Sequence, residues 1–196
     1  PPDILGGLKN APRVVVLHGC TQTATGYDHG AGWTELAARQ GFAVLAPEQK
    51  AVNNPGTCFD WFNPLDVARG QGEVASIAAM IEDMVKAHDL DPRRVFITGL
   101  SAGGAMTAAM LACYPELFAG GAIIAGLPYG AATDVQGALQ AMRSAPHKTA
   151  REWGHLVRAA APHHRGGWPR VSIWQGDHDL TVNIGNAQAS LAQWAD

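Results

Sequence analysis

Charged side chains are scarce in this sequence, at 16% of 196 residues, and no apolar run approaches the roughly 20 residues of a membrane span. The net charge of −3 is small, so we expect neither nucleic acid nor an anionic membrane as a partner. Hydrophobic residues make up 47% of the chain, which is typical of a compact globular protein and excludes a disordered or coiled-coil one. A chain of this length predicts a single domain over residues 1–196.

Cysteine is also rare, with three residues whose spacing matches no metal site, so we expect no metal. Cys113 lies in an apolar helical stretch, which predicts a small core residue. Cys20 and Cys58 flank candidate site segments, and either a disulfide between them or two free thiols fits the sequence. The disulfide would favour an oxidising compartment, and we expect an extracellular or periplasmic location.

Short apolar runs alternate with stretches of helical periodicity along the chain. The pattern predicts strands at 13–17, 42–46, 95–98, 121–125 and 171–174. It predicts helices at 33–40, 74–85, 103–113, 134–143, 149–160 and 187–194, and a loop rich in Asn, Pro and Gly at 49–64. Strands that alternate with helices indicate an α/β fold, in which a mostly parallel sheet has helices on both faces as a three-layer sandwich.

Residues 95–104, VFITGLSAGG, place the pattern G-x-S-x-G between a predicted strand and a predicted helix. A serine in such a tight turn needs neighbours without bulky side chains two positions away, here Gly99 and Gly103. The turn raises the serine Oγ above the sheet at a helix N-terminus, where the helix dipole favours developing negative charge. The alternative is a phosphate-binding turn, which requires G-x-G-x-x-G and has serine here in place of the middle glycine. Ser101 is therefore the predicted nucleophile of an α/β-hydrolase.

Acyl transfer requires two backbone N–H groups directed at the oxygen of the tetrahedral intermediate. One normally belongs to the residue after the nucleophile, here Ala102, and the other to the loop after an early strand. Residues 17–22, LHGCTQ, match that loop, so the Cys20 amide is the predicted second donor. His18 is predicted to be a structural residue at the strand end, with a catalytic role as the alternative.

The triad acid is expected on the loop after the last strand, QGDHDLTV at 175–182. Asp179 fits the G-x-x-D-x-x-V spacing common in hydrolases of this fold, and Asp177 is the alternative. The triad runs in the order serine, acid, histidine, but all eight histidines precede Asp179. His163 or His164 could substitute only in a different topology.

The absent base leaves three interpretations: a truncated chain, a tail in a segment outside this sequence, or a non-catalytic relative. The strands that would precede residue 13 in a complete sheet are absent too, and there is no initiator Met. We therefore expect a fold that is incomplete at both ends, with the triad histidine in a C-terminal segment beyond residue 196.

Four segments together resemble the poly(3-hydroxybutyrate) depolymerase family of esterases. They are LHGCTQ at 17–22, CFDWF at 58–62, GLSAGGAMTAAMLACYPELFAGGAIIAGLPYG at 99–130 and APHHRGGWPRVSIWQGDHDLTV at 161–182. The resemblance covers nearly the whole chain from about residue 12. It implies Ser101 as nucleophile, Asp179 as acid, and Cys20 with Ala102 as oxyanion donors. No cofactor is expected, because Ser-His-Asp chemistry needs none.

The family contains several kinds of esterase, so the substrate is harder to predict. Trp61 and Phe62 either line the acyl pocket or serve ordinary hydrophobic packing. The expected function is a serine esterase that hydrolyses poly(3-hydroxybutyrate), its oligomers or related short-chain acyl esters through an acyl-enzyme on Ser101. A feruloyl or acetylxylan esterase is the first alternative, and an inactive binding domain that keeps the fold is the second. A small-molecule or polymeric ester is the expected partner.

Overall fold

The computed structural model describes residues 9–196, in which five parallel strands form one sheet. The strands are β1 (Arg13–Leu17), β2 (Ala43–Leu45), β3 (Val95–Leu100), β4 (Gly120–Ile124) and β5 (Arg170–Trp174). Their order in the sheet is β2-β1-β3-β4-β5, so β3 lies at the centre between β1 and β4. Because parallel strands all end at the same edge, the segments that follow β1, β3 and β5 all begin at that edge.

Seven α-helices occupy the connections within this part of the chain. They are α1 (Ala24–Ala31), α2 (Trp33–Gln40), α3 (Gly72–His88), α4 (Ala102–Cys113), α5 (Val135–Arg143), α6 (Ala150–Ala160) and α7 (Gly185–Ala195). None of them combines the length and the apolarity of a membrane-spanning segment. The five predicted strands and the six predicted helices are all present, with ends shifted by a few residues.

Helix α1 was not predicted from the sequence. Its eight residues, ATGYDHGA, include two glycines and bury only Tyr27, so no apolar periodicity marks the segment. Capping defines the helix instead. The Thr23 hydroxyl accepts a hydrogen bond from the Gly26 N–H at 3.0 Å, and Gly32 ends the helix at φ 72°.

Helix α4 is the centre of the core, and every one of its residues is buried. It packs on β1, β3 and β4 on one side and against α3 and α6 on the other. Two glycines permit this approach. A Cβ at Gly99 would lie 2.3 Å from the Gly103 carbonyl oxygen, and a Cβ at Gly103 would lie 2.3 Å from the Leu17 carbonyl oxygen. Side chains are therefore excluded where β1, β3 and α4 meet.

The opposite face of the sheet is more open. Trp33 at the start of α2, together with Val14, Phe96 and Trp174, lines a cleft of about 870 Å³ on that face. Phe96 is 39% exposed and Trp174 is 63% exposed. Within residues 9–196, the helical layer of the three-layer sandwich is thus complete on the α4 face and partial on the other.

We expect Gly103→Ala to lower the free energy of unfolding by about 2–3 kcal/mol, because the new methyl group overlaps backbone atoms that cannot move aside. Gly30→Ala is the matched control: Gly30 is also helical, and a Cβ there meets no atom within 4 Å. The control should change stability by no more than about 1 kcal/mol, in the stabilising direction. Urea unfolding measures both variants. Equal effects would contradict the close approach of α4 to β1.

Candidate active site

Ser101 occupies the turn between β3 and α4 in a backbone conformation that side chains seldom adopt, with φ 57° and ψ −116°. Its N–H donates to the Ile124 carbonyl oxygen at 2.9 Å, which fixes the turn to the end of β4. The side chain makes no capping hydrogen bond to α4. The hydroxyl is half-buried at the helix N-terminus, where a reacting group can approach it.

The loop after β1 lies directly beside this serine. A Cβ at Gly19 would lie 3.5 Å from the Ser101 Cβ. The Gly19 N–H donates to Gln22 Oε1 at 2.8 Å, and the Gln22 N–H donates back to the Gly19 carbonyl oxygen at 3.3 Å, so the loop is a closed turn. The amides of Cys20 and Ala102 have no hydrogen-bond acceptor within residues 9–196. They are the two amides predicted from the sequence to be oxyanion donors.

A disulfide joins Cys20 to Cys58, with the two Cα atoms 4.2 Å apart. Of the two alternatives left open by the sequence, the structure contains the disulfide. A backbone hydrogen bond from the Thr21 N–H to the Gly56 carbonyl oxygen, at 2.8 Å, lies beside it. The loop after β1 is therefore fastened to the long loop that precedes α3. Cys113, predicted as a core residue, is a buried free thiol.

Trp61 and Phe62 follow the disulfide in that long loop. Trp61 is only 7% exposed and belongs to the main hydrophobic core, which also contains Ala102. Phe62 is partly buried and meets Trp61 edge to face, with ring centroids 5.5 Å apart. Both side chains pack, and their part in an acyl pocket stays a prediction.

Asp179 lies on the loop after β5, as predicted, and its carboxylate is held by three donors. Oδ1 accepts from the N–H groups of Thr181 and Val182 at 2.8 and 3.0 Å, and Oδ2 accepts from Gln175 Nε2 at 2.9 Å. The Val182 amide contributes most to lowering the pKa of Asp179 below its usual value. The group is therefore ionised at neutral pH, and Oδ2 keeps capacity for one further donor.

Asp177 is in a different environment from Asp179. It is 81% exposed on its side chain and pairs with the Nδ1 of the neighbouring His178 at 2.8 Å. That contact is local and directs both side chains to solvent. Asp177 thus lacks the network of donors that orients Asp179.

No histidine within residues 9–196 hydrogen-bonds to Asp179 or Ser101. His164 bonds the Gly167 carbonyl oxygen at 3.2 Å and lies against the Trp168 ring. His18 is fully buried and bonds Gly19 and Gln49. The described part of the chain brings together the predicted nucleophile and the two predicted oxyanion donors, with a pre-oriented carboxylate on a loop at the same edge of the sheet.

Glu73 is a feature that sequence reasoning missed, because it lies off the apolar stripe of α3. The structure half-buries its carboxyl group, which accepts from the Asp60 N–H at 2.8 Å and from Gln49 Nε2. Burial raises the pKa of Glu73 to about 7, although the two hydrogen bonds act in the opposite direction and favour the ionised form. No local pattern marks this residue, since its partners lie 13 and 24 positions earlier in the chain.

The raised pKa of Glu73 has a consequence for stability. A carboxyl group whose folded-state pKa exceeds the ordinary value of 4.5 contributes stability that is fully present below pH 4.5 and is lost as the pH rises through 7. Between pH 4.5 and 8, the free energy of unfolding of the wild type should therefore fall by about 1–3 kcal/mol more than that of Glu73→Gln. Urea unfolding across this range measures the difference.

Glu82→Gln is the control for that series, because Glu82 is an exposed glutamate on the same helix. It should keep the pH dependence of the wild type. An unchanged pH dependence in Glu73→Gln would contradict the raised pKa.

Comparison with known proteins places the chain in a family. It matches the family model for esterase PHB depolymerase over residues 1–195. It is 46% identical over 187 residues to poly(3-hydroxyalkanoate) depolymerase C of Paucimonas lemoignei. The aligned region covers 95% of this chain and 45% of the depolymerase. It is 32% identical over 201 residues to feruloyl esterase B of Thermothelomyces thermophilus. That aligned region covers 100% of this chain and 67% of the enzyme.

The fold is also similar to that of a solved structure. The acetyl xylan esterase from Aspergillus awamori matches with a TM-score of 0.86 at 28% identity, covering 97% of this chain and 72% of that one. The parallel sheet and this similarity confirm the α/β-hydrolase fold. The chain spans less than half the length of the depolymerase. It belongs to the esterase PHB depolymerase family.

Proposed function

We propose that this chain is the catalytic region of a serine esterase that hydrolyses poly(3-hydroxybutyrate), its oligomers or related short-chain acyl esters. The observation that carries the proposal is the turn at Ser101. A hydroxyl without a capping bond lies beside a loop whose Cys20 amide has no acceptor within the described residues. An accessible hydroxyl and adjacent N–H groups without acceptors are two of the components that acyl transfer requires.

In the proposed reaction, Ser101 Oγ attacks the ester carbonyl carbon while the hydroxyl proton passes to a general base. The carbonyl oxygen becomes an oxyanion that accepts hydrogen bonds from the Cys20 and Ala102 N–H groups. The tetrahedral intermediate collapses to an acyl-enzyme, and the alcohol leaves with a proton from the base. Water then attacks the acyl carbon, releases the carboxylic acid and returns the proton to Ser101.

The proposed role of Asp179 is to orient the histidine that acts as this base and to stabilise its cation. Its ionised carboxylate and the remaining acceptor capacity of Oδ2 support that role. No histidine within residues 9–196 hydrogen-bonds to the Asp179 carboxylate. We therefore propose that the base comes from outside these residues.

The substrate proposal rests on the identity of 46% to a poly(3-hydroxyalkanoate) depolymerase. Phe62, half-buried beside Trp61, is the proposed wall of the acyl pocket. The TM-score of 0.86 to an acetyl xylan esterase favours a polysaccharide ester as the second candidate substrate. The Cys20–Cys58 disulfide supports an extracellular or periplasmic location, because such bonds persist in oxidising compartments.

Ser101→Ala in the full-length protein should reduce kcat on a 3-hydroxybutyrate oligomer by at least about 10³-fold, because no acyl-enzyme can form. Ser144→Ala is the control, since Ser144 is an exposed serine at the end of α5, and it should retain wild-type turnover. Undiminished hydrolysis by Ser101→Ala would contradict the proposed nucleophile. A wild-type protein that binds the oligomer without hydrolysing it would favour an inactive binding domain.

The same assay separates the candidate substrates. The proposal requires a kcat/KM on the hydroxybutyrate oligomer at least about tenfold above that on methyl ferulate or acetylated xylan. The reverse order would assign the site to a polysaccharide esterase while leaving the role of Ser101 intact.

A further inference from the structure

Charged side chains are unevenly distributed along this chain. Residues 143–170, from the last residue of α5 to the first residue of β5, carry six of the 14 Lys and Arg side chains and one of the 17 Asp and Glu side chains. Four of the eight His side chains lie there as well. The segment thus has a formal charge of +5 in a chain whose net charge is −3. Such an asymmetry produces a local positive potential, which attracts anionic partners.

Helix α6 places several of these cations in one row. Arg151, His155 and Arg158 are separated by four and three positions, so their side chains follow one another along the same face of the helix. All three residues are exposed. The buried residues of the helix are Trp153, Gly154 and Val157, and α6 packs against α4 and α7. The basic row therefore faces solvent and not the core.

The basic row lines a cleft of about 600 Å³, which we call the α6 cleft. Its lining residues are Lys148, Arg151, Glu152, His155, Leu156 and Arg158. Glu152 is the one acidic residue in this lining, and its carboxylate is engaged in the capping box of α6. Its Oε2 accepts from the Thr149 N–H at 2.7 Å and from the Thr149 hydroxyl at 2.8 Å. The α6 cleft thus presents several cations whose charge this carboxylate offsets only in part.

Two cations of the α6 cleft are available to an anion. No salt bridge within residues 9–196 joins Lys148 or Arg151 to a carboxylate, whereas Arg158 pairs with Asp196 at 2.6 Å. The Lys148 ammonium lies over the Trp153 ring, 5.4 Å from its centroid, and this cation–π contact is not an ion pair. An anion can therefore bind Lys148 or Arg151 without first breaking a salt bridge.

A second basic cleft begins where α6 ends. It has a volume of about 500 Å³ and is lined by Arg69, Glu116 and residues 161–165, which include His163, His164 and Arg165. Glu116 pairs with Arg69, so its negative charge is compensated within the cleft. Basic side chains thus follow one another from Lys148 to Arg165, along α6 and the loop after it. This arrangement fits an extended ligand with repeated negative charges better than one small anion.

We propose that this surface, which comprises the α6 cleft and residues 161–165, binds a polysaccharide that carries carboxylate groups, such as a polymer of uronic acids. A guanidinium group pairs with a carboxylate through two parallel hydrogen bonds, and Arg151 offers such a group in the α6 cleft. The inference goes beyond the proposed function, because the surface contains none of the residues assigned to the reaction. Binding there retains the protein on an acidic polysaccharide and does not require Ser101.

Two other anionic partners fit this surface less well. A bound nucleic acid strand stacks its bases on aromatic rings, and no Phe, Tyr or Trp of the described chain lines the α6 cleft. A membrane-bound helix inserts an apolar face next to its basic residues, whereas the cations of α6 line a cleft with one apolar residue, Leu156. A single polysaccharide chain is narrow enough to enter such a cleft.

Binding of polygalacturonate to the full-length protein, measured by isothermal titration calorimetry, tests the proposal. The double variant Lys148→Gln, Arg151→Gln should raise Kd by about tenfold at low ionic strength, because two contacts between opposite charges are lost. The double variant Arg39→Gln, Lys86→Gln is the matched control, since it removes the same charge from exposed residues of α2 and α3. Its Kd should stay within about twofold of the wild-type value, because its charges lie outside the surface.

Equal weakening in the two double variants would overturn the proposal, since it would show an effect of net charge alone. A wild-type protein that does not bind polygalacturonate would overturn it as well. Tighter binding to single-stranded DNA or to anionic lipid vesicles than to polygalacturonate would overturn the assignment to a polysaccharide and identify that partner in its place.

A footprint on the wild-type protein does not depend on how well the variants fold. Bound polygalacturonate should slow the acetylation of Lys148 and leave that of Lys86 unchanged, because only Lys148 lies in the α6 cleft. Unslowed acetylation of Lys148 in the complex would overturn the proposed location.

This proposal and the proposed function fail separately. Ser101→Ala should bind polygalacturonate as tightly as the wild type, because the α6 cleft takes no part in acyl transfer. Hydrolysis that persists in Ser101→Ala removes the proposed function alone. Hydrolysis that depends on Ser101 in a protein without affinity for polygalacturonate removes the proposed binding surface alone.

Discussion

The contact of α4 with β1 and β3 at Gly99 and Gly103 is the constraint on which the rest of this structure depends. The backbone of α4 comes so near the ends of these strands that no Cβ fits at either glycine. The chain must then reverse from strand to helix within one residue, and Ser101 takes up a positive φ of 57° as a result. Such a conformation costs of the order of 1–3 kcal/mol, which the fully buried helix offsets.

The same contact determines where the other parts of the site can be. Since Gly103 lies against the Leu17 and His18 carbonyl oxygens, the loop after β1 begins beside the N-terminus of α4. Gly19 is thereby brought against Ser101. The loop is then held from two sides, by the disulfide at Cys20 and by the buried His18 ring. A rigid amide is more useful than a mobile one, because a pre-oriented donor needs no reorganisation during the reaction.

The sequence predicted the features whose signal is local. G-x-S-x-G and the alternation of strands and helices lie in short segments, and so does the spacing that selected Asp179 over Asp177. The structure gives Asp179 the donors that Asp177 lacks. Contacts between distant segments were not predictable in the same way. The disulfide stayed one of two alternatives, and the burial of Glu73 depends on partners that lie 13 and 24 positions earlier in the chain.

Two further differences have physical causes. Helix α1 depends on the Thr23 cap and on Gly32, not on an apolar stripe, so periodicity could not reveal it. The hydrogen bond between His18 and Gln49 spans 31 positions, so the sequence indicated a structural residue at a strand end but not this partner. The first case depends on local capping, and the second depends on a tertiary contact.

The most direct test of the central claim is a crystal structure of the full-length protein after reaction with a fluorophosphonate. The account predicts phosphorus bonded to Ser101 Oγ, with the phosphoryl oxygen about 3 Å from the Cys20 and Ala102 nitrogens. An adduct on another residue, or a phosphoryl oxygen directed away from these two amides, would contradict it.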